Sequence, residues 1–190
     1  MNAKSKKEKL IQSAIEKFSQ QGYHQTSVSE IADRAGVAKG TVYWYFDSKK
    51  ELFWNIILSD VEKINNYILT KVNEGNEGAI KKLRQVIRLH LNFFKDRKDV
   101  ARMIKESSVT SDSYFHKRID SLRTEAINNI SKIIKTGQEN GEFITNIDSK
   151  ELANFILGSI NSYNPVVYEL EDVEQKVDLI TNIILNGIKQ

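Results

Sequence analysis

The residue types best suited to bind another molecule occur together over residues 39–45, which read K-G-T-V-Y-W-Y. On a helical wheel of about 100° per residue, Val42 and Phe46 share one apolar face. Gly40 and Trp44 lie on the opposite face, although glycine costs about 1 kcal/mol relative to alanine inside a helix. That cost is explained if a partner approaches the backbone closely. The nearby cation, hydroxyls and rings suit DNA phosphates and base edges, whereas an ordinary amphipathic helix would expose several aromatic rings without purpose.

The preceding segment has the signals of a short helix that ends in a tight turn. Ser27 and Glu30 are spaced as a capping box, in which each side chain accepts a hydrogen bond from the other residue's backbone. Gly36 follows an apolar stripe at helical spacing and ends the helix, because glycine adopts a left-handed C-cap without steric cost. Val37 then packs the turn, and a second helix begins near residue 38 or 39. The pattern indicates a helix-turn-helix.

These residues resemble the TetR family of bacterial transcriptional regulators over about the first 55 residues. The matching segments are Phe18, Gly22-Tyr23, Thr26-Ser27-Val28, Glu30-Ile31-Ala32, Ala35-Gly36-Val37, Lys39-Gly40-Thr41-Val42-Tyr43, Tyr45-Phe46 and Lys49-Lys50-Glu51-Leu52. Trp44 departs from the family pattern, in which tyrosine or another polar or aromatic residue is frequent at this position. Because of this difference, the family pattern does not predict which DNA sequence (the operator) this protein recognises. It still predicts the mode of binding.

Helical periodicity without any strand or hairpin signal predicts an all-α fold of about nine helices. The resemblance implies an N-terminal three-helix DNA-binding domain over residues 1–48, with the helix-turn-helix at about 27–46. It also implies a larger helical effector-binding and dimerisation domain over residues 49–190. We predict a first helix over residues 5–20, closed by Gly22, and a fourth helix that starts at a second capping box, Ser48 to Glu51. Later helices are predicted over 79–94, 100–106 and 114–138, and from about 148 and 172, with a break at Asn164-Pro165.

The predicted DNA contacts combine the outward face of the second short helix with flanking hydroxyls and a lysine. They are Thr26, Ser27, Lys39, Gly40, Thr41, Tyr43, Trp44, Tyr45 and Lys49. The family pattern implies that Tyr43 and Tyr45 donate to phosphate oxygens. Thr41 and Trp44 are placed to touch base edges. Lys49 brings a cation and a helix N-terminus towards the DNA backbone.

A single helix-turn-helix makes few base contacts, so specific binding usually requires a homodimer on a palindromic operator. By resemblance, the last two helices of each subunit form a four-helix bundle with those of the partner. Their isoleucine and valine content alone fits ordinary core packing equally well.

The middle helices are expected, again by resemblance, to enclose an effector pocket. Candidate lining residues are Tyr67, Phe93, Phe94, Met103, Tyr114, Phe115, Phe155, Tyr163 and Tyr168. Each of them is individually better explained as core. Their apolar character favours an apolar or amphipathic small molecule, and the resemblance suggests a repressor relieved by that ligand. Activation, or a DNA-binding module controlled by a protein or DNA partner without any small effector, stays open.

Composition agrees with this interpretation. The chain has 190 residues and a formal net charge of +3, and 40% of its residues are hydrophobic. Through residue 50, nine Lys and Arg against five Asp and Glu give +4, so the positive excess coincides with the helix-turn-helix. No apolar run is long enough to span a bilayer, and the absence of cysteine is compatible with the cytoplasm.

The first alternative to a DNA-binding regulator is an enzyme. The chain has three histidines, His24, His90 and His116, and no pair of them has the spacing of metal ligands. No nucleophile elbow or phosphate-binding glycine loop occurs, since the glycines at 75 and 78 are not followed by Lys-Ser or Lys-Thr. We therefore expect no catalytic residues, no metal and no cofactor.

Overall fold

A computed structural model describes residues 3–75, 77–107, 113–162 and 172–188. These residues form nine helices and no strand, which confirms the predicted all-α class. The helices are α1 Ala3–Gln25, α2 Val28–Ala35, α3 Lys39–Tyr45, α4 Lys49–Asn73, α5 Ala79–Asp96, α6 Lys98–Ser107, α7 Ser113–Glu139, α8 Ser149–Ser162 and α9 Val173–Ile188. The predicted break at Asn164-Pro165 lies outside the described residues.

The chain divides into two compact units. The N-terminal unit comprises residues 1–60 with 97–115, and the C-terminal unit comprises residues 61–96 with 116–190. The N-terminal unit therefore holds α1, α2, α3, the first half of α4, and α6. The predicted domain boundary near residue 48 follows a different criterion, the end of the helix-turn-helix, and stays a prediction.

The N-terminal unit is built around α1, which packs against both α2 and α6. Leu10, Ala14 and Phe18 of α1 are fully buried, because their spacing places them on one face of the helix. The Phe18 ring meets Phe53 of α4 edge-on, with the ring centroids 5.2 Å apart. This aromatic contact ties the start of α4 to α1.

Gly22 interrupts the first helix, as its sequence position predicts, but does not end it. Its φ of 79° and ψ of 166° are not helical, and one further helical turn continues to Gln25. The helix is therefore longer than the predicted 5–20 at both ends. The carbonyl groups of Tyr23 in this turn and of Thr26 just after it accept hydrogen bonds from Lys49 of α4.

The C-terminal unit has an aliphatic core drawn from α4, α5, α7, α8 and α9. α9 lies along α5, where Arg88 makes two hydrogen bonds with Glu174, of 2.6 and 2.8 Å. Arg84 pairs with Asp178 one turn away. The Glu174 side chain makes the pKa of Arg88 higher than usual through these hydrogen bonds.

One carboxylate caps α5 from a distant part of the same unit. The two oxygens of Glu142 accept hydrogen bonds from the backbone N–H groups of Ala79 and Ile80, at 3.0 and 3.1 Å. A negative charge at a helix N-terminus satisfies free N–H groups and favours the helix dipole. Phe143 beside it is fully buried, so the capping loop is held by packing as well as by charge.

Candidate nucleic-acid interface

The capping box predicted for α2 is present. Ser27 Oγ accepts a hydrogen bond from Glu30 N at 3.2 Å, and Glu30 Oε2 accepts from Ser27 N at 2.8 Å. These bonds to Ser27 lower the pKa of Glu30 to about 2, with a further contribution from Gln21. Glu30 is therefore ionised at neutral pH, and the start of α2 is fixed by both partners.

The turn between the two short helices is also as predicted. Gly36 adopts φ 66° and ψ 38°, the left-handed conformation that glycine permits, and its N–H donates to the last turn of α2. Val37 N donates to Ala32 O at 3.0 Å, which closes the turn. These bonds set the direction in which α3 leaves α2.

α3 buries one face and exposes the other, as the wheel predicts. Val42 and Phe46 are 1% and 2% exposed. Trp44 is 73% exposed, and Tyr43 on its neighbouring side is 46% exposed. Burial of the first pair against the unit's core fixes the helix, and the second pair is left for a partner.

The space beside Gly40 is open. A Cβ atom added there would meet no heavy atom within 4 Å, apart from the glycine's chain neighbours and its own helix backbone. Its φ does not lie in the left-handed region, so neither backbone conformation nor packing within the chain requires glycine. Lys39 and Gly40 are exposed, and Thr41 and Tyr45 are half-buried at the edges of this face. The outward face of α3, defined as Lys39, Gly40, Thr41, Tyr43 and Trp44, is therefore available to a large partner.

Two family models match the chain. The model of bacterial regulatory proteins of the tetR family matches residues 10–55, and the tetracyclin repressor-like C-terminal domain matches residues 76–164. A putative fatty acid metabolism regulator from Clostridium perfringens is 30% identical, with a TM-score of 0.74 over 96% of this chain and 99% of that one. The chain belongs to the TetR family.

Two further matches extend over nearly the whole chain. The fatty acid metabolism regulator protein of Bacillus subtilis is 28% identical over 173 residues, which is 90% of this chain and 86% of that protein. The structure of the transcriptional regulator FadR from Bacillus subtilis in complex with stearoyl-CoA is 23% identical, with a TM-score of 0.82. It covers 95% of this chain and 98% of that one. Membership of the TetR family makes this chain a DNA-binding transcriptional regulator with a helix-turn-helix.

Two residues predicted to touch DNA have other partners in this TetR-family structure. Thr26 is 1% exposed, and its hydroxyl donates to Gly22 O at 2.8 Å. Lys49 Nζ donates to Tyr23 O at 2.8 Å and Thr26 O at 2.7 Å. Burial of the ammonium lowers the pKa of Lys49. Both side chains hold the connection between α1 and α2, and any additional contact with DNA stays a prediction.

Ser27 differs from these two, because it is exposed and lies at the N-terminus of α2.

Arg34, at the other end of α2, pairs with Glu16 of α1 and was not singled out from the sequence. The two residues are 18 positions apart, so no local pattern signals the pair. It fixes α2 against α1.

The described effector-lining candidates are distributed over the two units. Met103, Tyr114 and Phe115 belong to the N-terminal unit, where Met103 is fully buried and Phe115 stacks on Trp54 with centroids 4.9 Å apart. The other described candidates, Tyr67, Phe93, Phe94 and Phe155, belong to the C-terminal unit. Tyr163 and Tyr168 lie outside the described residues. The assignment of a lining stays a prediction.

Phe155 is exposed on a different feature, a groove between α8 and α9. The groove has a volume of about 430 Å³ and is lined by Ile147, Glu151, Leu152, Phe155, Ile156, Ile183 and Ile184. Phe155 is 65% exposed and Ile183 is 62% exposed.

Among the described residues, no helix is long and apolar enough to cross a membrane, and no cluster of side chains could hold a metal ion.

Proposed function

We propose that this regulator is a homodimeric repressor that binds a palindromic operator through α3 and leaves it when an acyl thioester binds. The observation that carries the proposal is the open outward face of α3, with Gly40 and Trp44 exposed and Val42 buried on the opposite face. A major groove about 12 Å wide admits a helix, and a side without a Cβ atom lets the helix backbone approach closely.

Dimerisation follows from the small size of this interface. α3 has seven residues, so one copy reaches few base pairs. Two copies related by a twofold axis would read half-sites about 34–36 Å apart, on the same side of the duplex. Symmetry of the protein would then appear as an inverted repeat in the DNA.

The exposed apolar side of α8 and α9 supports a dimer interface in the C-terminal unit. Leu179 and Ile183 of α9 are 44% and 62% exposed, and Phe155 of α8 is 65% exposed. Phe155 and Ile183 line the same groove, and Leu179 lies one turn before Ile183 in α9. Exposed apolar patches of this kind mark interaction sites. Pairing of this side with a second copy would remove the three side chains from water.

A fatty acyl thioester is the effector class that the relatives favour. The proteins from Bacillus subtilis and Clostridium perfringens that match most of the chain are named fatty acid metabolism regulators. The structure of FadR from Bacillus subtilis was solved with stearoyl-CoA. The aliphatic C-terminal unit is chemically suited to an acyl chain, because burial of each methylene group contributes about 0.8 kcal/mol.

The effector would release the protein from its operator because it binds one conformation of the protein more tightly than the other. The effector must bind more tightly to a conformation in which the two α3 helices are wrongly spaced for successive half-sites. A coupling free energy of about 1–3 kcal/mol changes operator affinity about 5- to 150-fold.

We place this regulator in the cytoplasm, where it has access to DNA and acyl thioesters together.

The effector is tested by release from DNA. Fluorescence anisotropy of a labelled operator is followed while stearoyl-CoA, shorter acyl-CoA esters, free CoA or free stearate is added. We expect release by long-chain acyl-CoA at concentrations that also raise the melting temperature of the free protein. No release and no thermal shift with any of them would favour the alternative, control by a protein or DNA partner without a small effector.

The dimer is tested by placing a charge on the exposed apolar side. Ile183→Lys should yield a monomer in analytical ultracentrifugation and weaken operator binding. Leu69→Lys in α4 is the matched control, since Leu69 is an exposed leucine (37%) outside α8 and α9. An Ile183→Lys protein that stays dimeric would show that the interface lies elsewhere.

A further inference from the structure

Trp44 is the most exposed of the large apolar side chains in the described part of the chain. Tryptophan is a large residue that is usually highly buried, so a 73% exposed indole on a helix surface is costly to maintain in water. The same residue belongs to the outward face of α3. The position calls for a partner surface that is itself apolar at the point of contact.

The indole ring is held in place. Its centroid lies 4.5 Å from that of Tyr45, with the ring planes at 81°, an edge-to-face arrangement. The Tyr45 ring in turn lies 6.5 Å from Phe46, which is buried. The exposed ring is therefore supported by a neighbour connected to the core.

Trp44 lies on the same side of α3 as the open space beside Gly40. Side chains on a helix lean towards its N-terminus, so a residue covers the surface about one turn before it. Gly40 lies one turn before Trp44 and leaves no side chain there. A groove that receives α3 at Gly40 would bring base edges against the face of the indole.

The chemistry of the indole selects among the features of the major groove. Its ring offers one N–H donor, and the rest of its surface is apolar. The base edges present hydrogen-bond donors and acceptors, together with the C5 methyl group of thymine, the one apolar feature of the set. We propose that Trp44 reads the C5 methyl group of one thymine in each half-site. The inference rests on the proposed function, because it requires α3 to lie in the major groove.

The test removes that methyl group and nothing else. Each thymine of an operator selected from random DNA is replaced by deoxyuridine, symmetrically in both half-sites, and affinity is measured by anisotropy. We expect one thymine pair at which replacement weakens binding about fourfold per half-site, or about 15-fold in total, as the loss of one buried methyl group predicts. Replacements at thymines that the protein does not contact should have little effect.

Two variants assign the methyl contact to a side chain. Trp44→Ala should bind thymine and deoxyuridine duplexes equally, measured at a salt concentration low enough to restore binding through phosphate contacts. Thr41→Ser is the matched control, because it removes the methyl group of the half-buried threonine on the same face and should keep the discrimination. Both variants are compared with the wild type by thermal unfolding.

Three results would overturn the inference while leaving DNA binding intact. They are an operator at which no symmetric thymine pair responds to deoxyuridine, full discrimination by Trp44→Ala, and loss of discrimination in Thr41→Ser. Failure of the wild-type protein to prefer any duplex is a different result. It would overturn the proposed function and remove this inference with it.

Discussion

The Nζ atom of Lys49 lies 2.7 Å from the carbonyl oxygen of Thr26. The same ammonium bonds to Tyr23 O and stands 4.4 Å from the centroid of the Tyr23 ring. Lys49 is the first residue of α4, and the two carbonyls belong to the end of α1 and the residue after it. The start of α4 is therefore tied to the connection from which α2 begins. We infer that any movement of α4 reaches the helix-turn-helix partly through this side chain.

Lys49→Met should lower the free energy of unfolding by about 1–2 kcal/mol, because two carbonyl oxygens lose a charged donor. It should also weaken operator binding, since the start of α2 is less well held. Lys50→Met removes the same charge from an exposed neighbour and is the matched control. Urea unfolding and operator titration of both variants make the comparison.

The salt dependence of the same variants separates two roles for Lys49. A lysine that also contacts a phosphate flattens the slope of log affinity against log salt by about one unit when it is removed. A slope equal to that of wild type, together with lower stability, would assign Lys49 to the protein interior alone. Unchanged stability would contradict the role that its hydrogen bonds indicate.

Gly40→Ala should separate folding from DNA binding. The free protein has space for the methyl group, and alanine is the better helix former, so stability should be unchanged or higher by up to about 1 kcal/mol. Operator affinity should fall by about tenfold, equivalent to about 1.4 kcal/mol, because the methyl group enters the space that the groove needs. Gly75→Ala also adds a methyl group in open space, but outside α3, and should leave the affinity unchanged. Undiminished binding by Gly40→Ala would remove Gly40 from the interface.

Gly137→Ala should destabilise the C-terminal unit. A Cβ atom there would lie 2.5 Å from Phe143 Cε2 and 2.8 Å from Ala79 Cβ, well inside van der Waals contact. Overpacking of this kind costs about 1–3 kcal/mol, and it would disturb the loop that carries Glu142 to α5. Gly158→Ala in α8 meets nothing within 4 Å and should not destabilise the chain. Equal unfolding free energies for the two variants would contradict the packing described here.

His90 should make stability depend on pH below neutrality. It is 5% exposed in α5, and burial lowers its pKa from the usual 6.5. Its contribution to stability is therefore complete above pH 6.5 and is lost as the pH falls towards the folded-state pKa, because the unfolded chain takes up the proton first. Between pH 7.5 and 5.5 the unfolding free energy should fall by up to about 1.4 kcal/mol per pH unit, less in His90→Gln. A wild-type slope equal to that of His90→Gln would contradict this account.

Signals between residues close together in the sequence were sufficient to predict the helix-turn-helix. The capping box of Ser27 and Glu30 and the left-handed Gly36 each depend on residues within a few positions of one another. The burial of Val42 and Phe46 follows from helical periodicity in the same way. These features could be predicted from the sequence because the physics that creates them is local.

The contacts of the remaining side chains depend on the tertiary structure. Lys49 and Thr26 are 23 residues apart, and Glu142 caps α5 across more than 60 residues. Sequence spacing contains no signal for such pairs. For the same reason a lysine and a threonine that fit a DNA-contact pattern are found bonded to backbone carbonyls, and the candidate effector residues are divided between two units.

The central claim is that the outward face of α3 reads duplex DNA twice, once in each copy of a symmetric pair. Selection of bound duplexes from a random pool by the purified wild-type protein tests it most directly. The account predicts enrichment of an inverted repeat with half-site centres about 10 base pairs apart or a multiple of that. A pool that shows no enrichment, or a single half-site without symmetry, would contradict it.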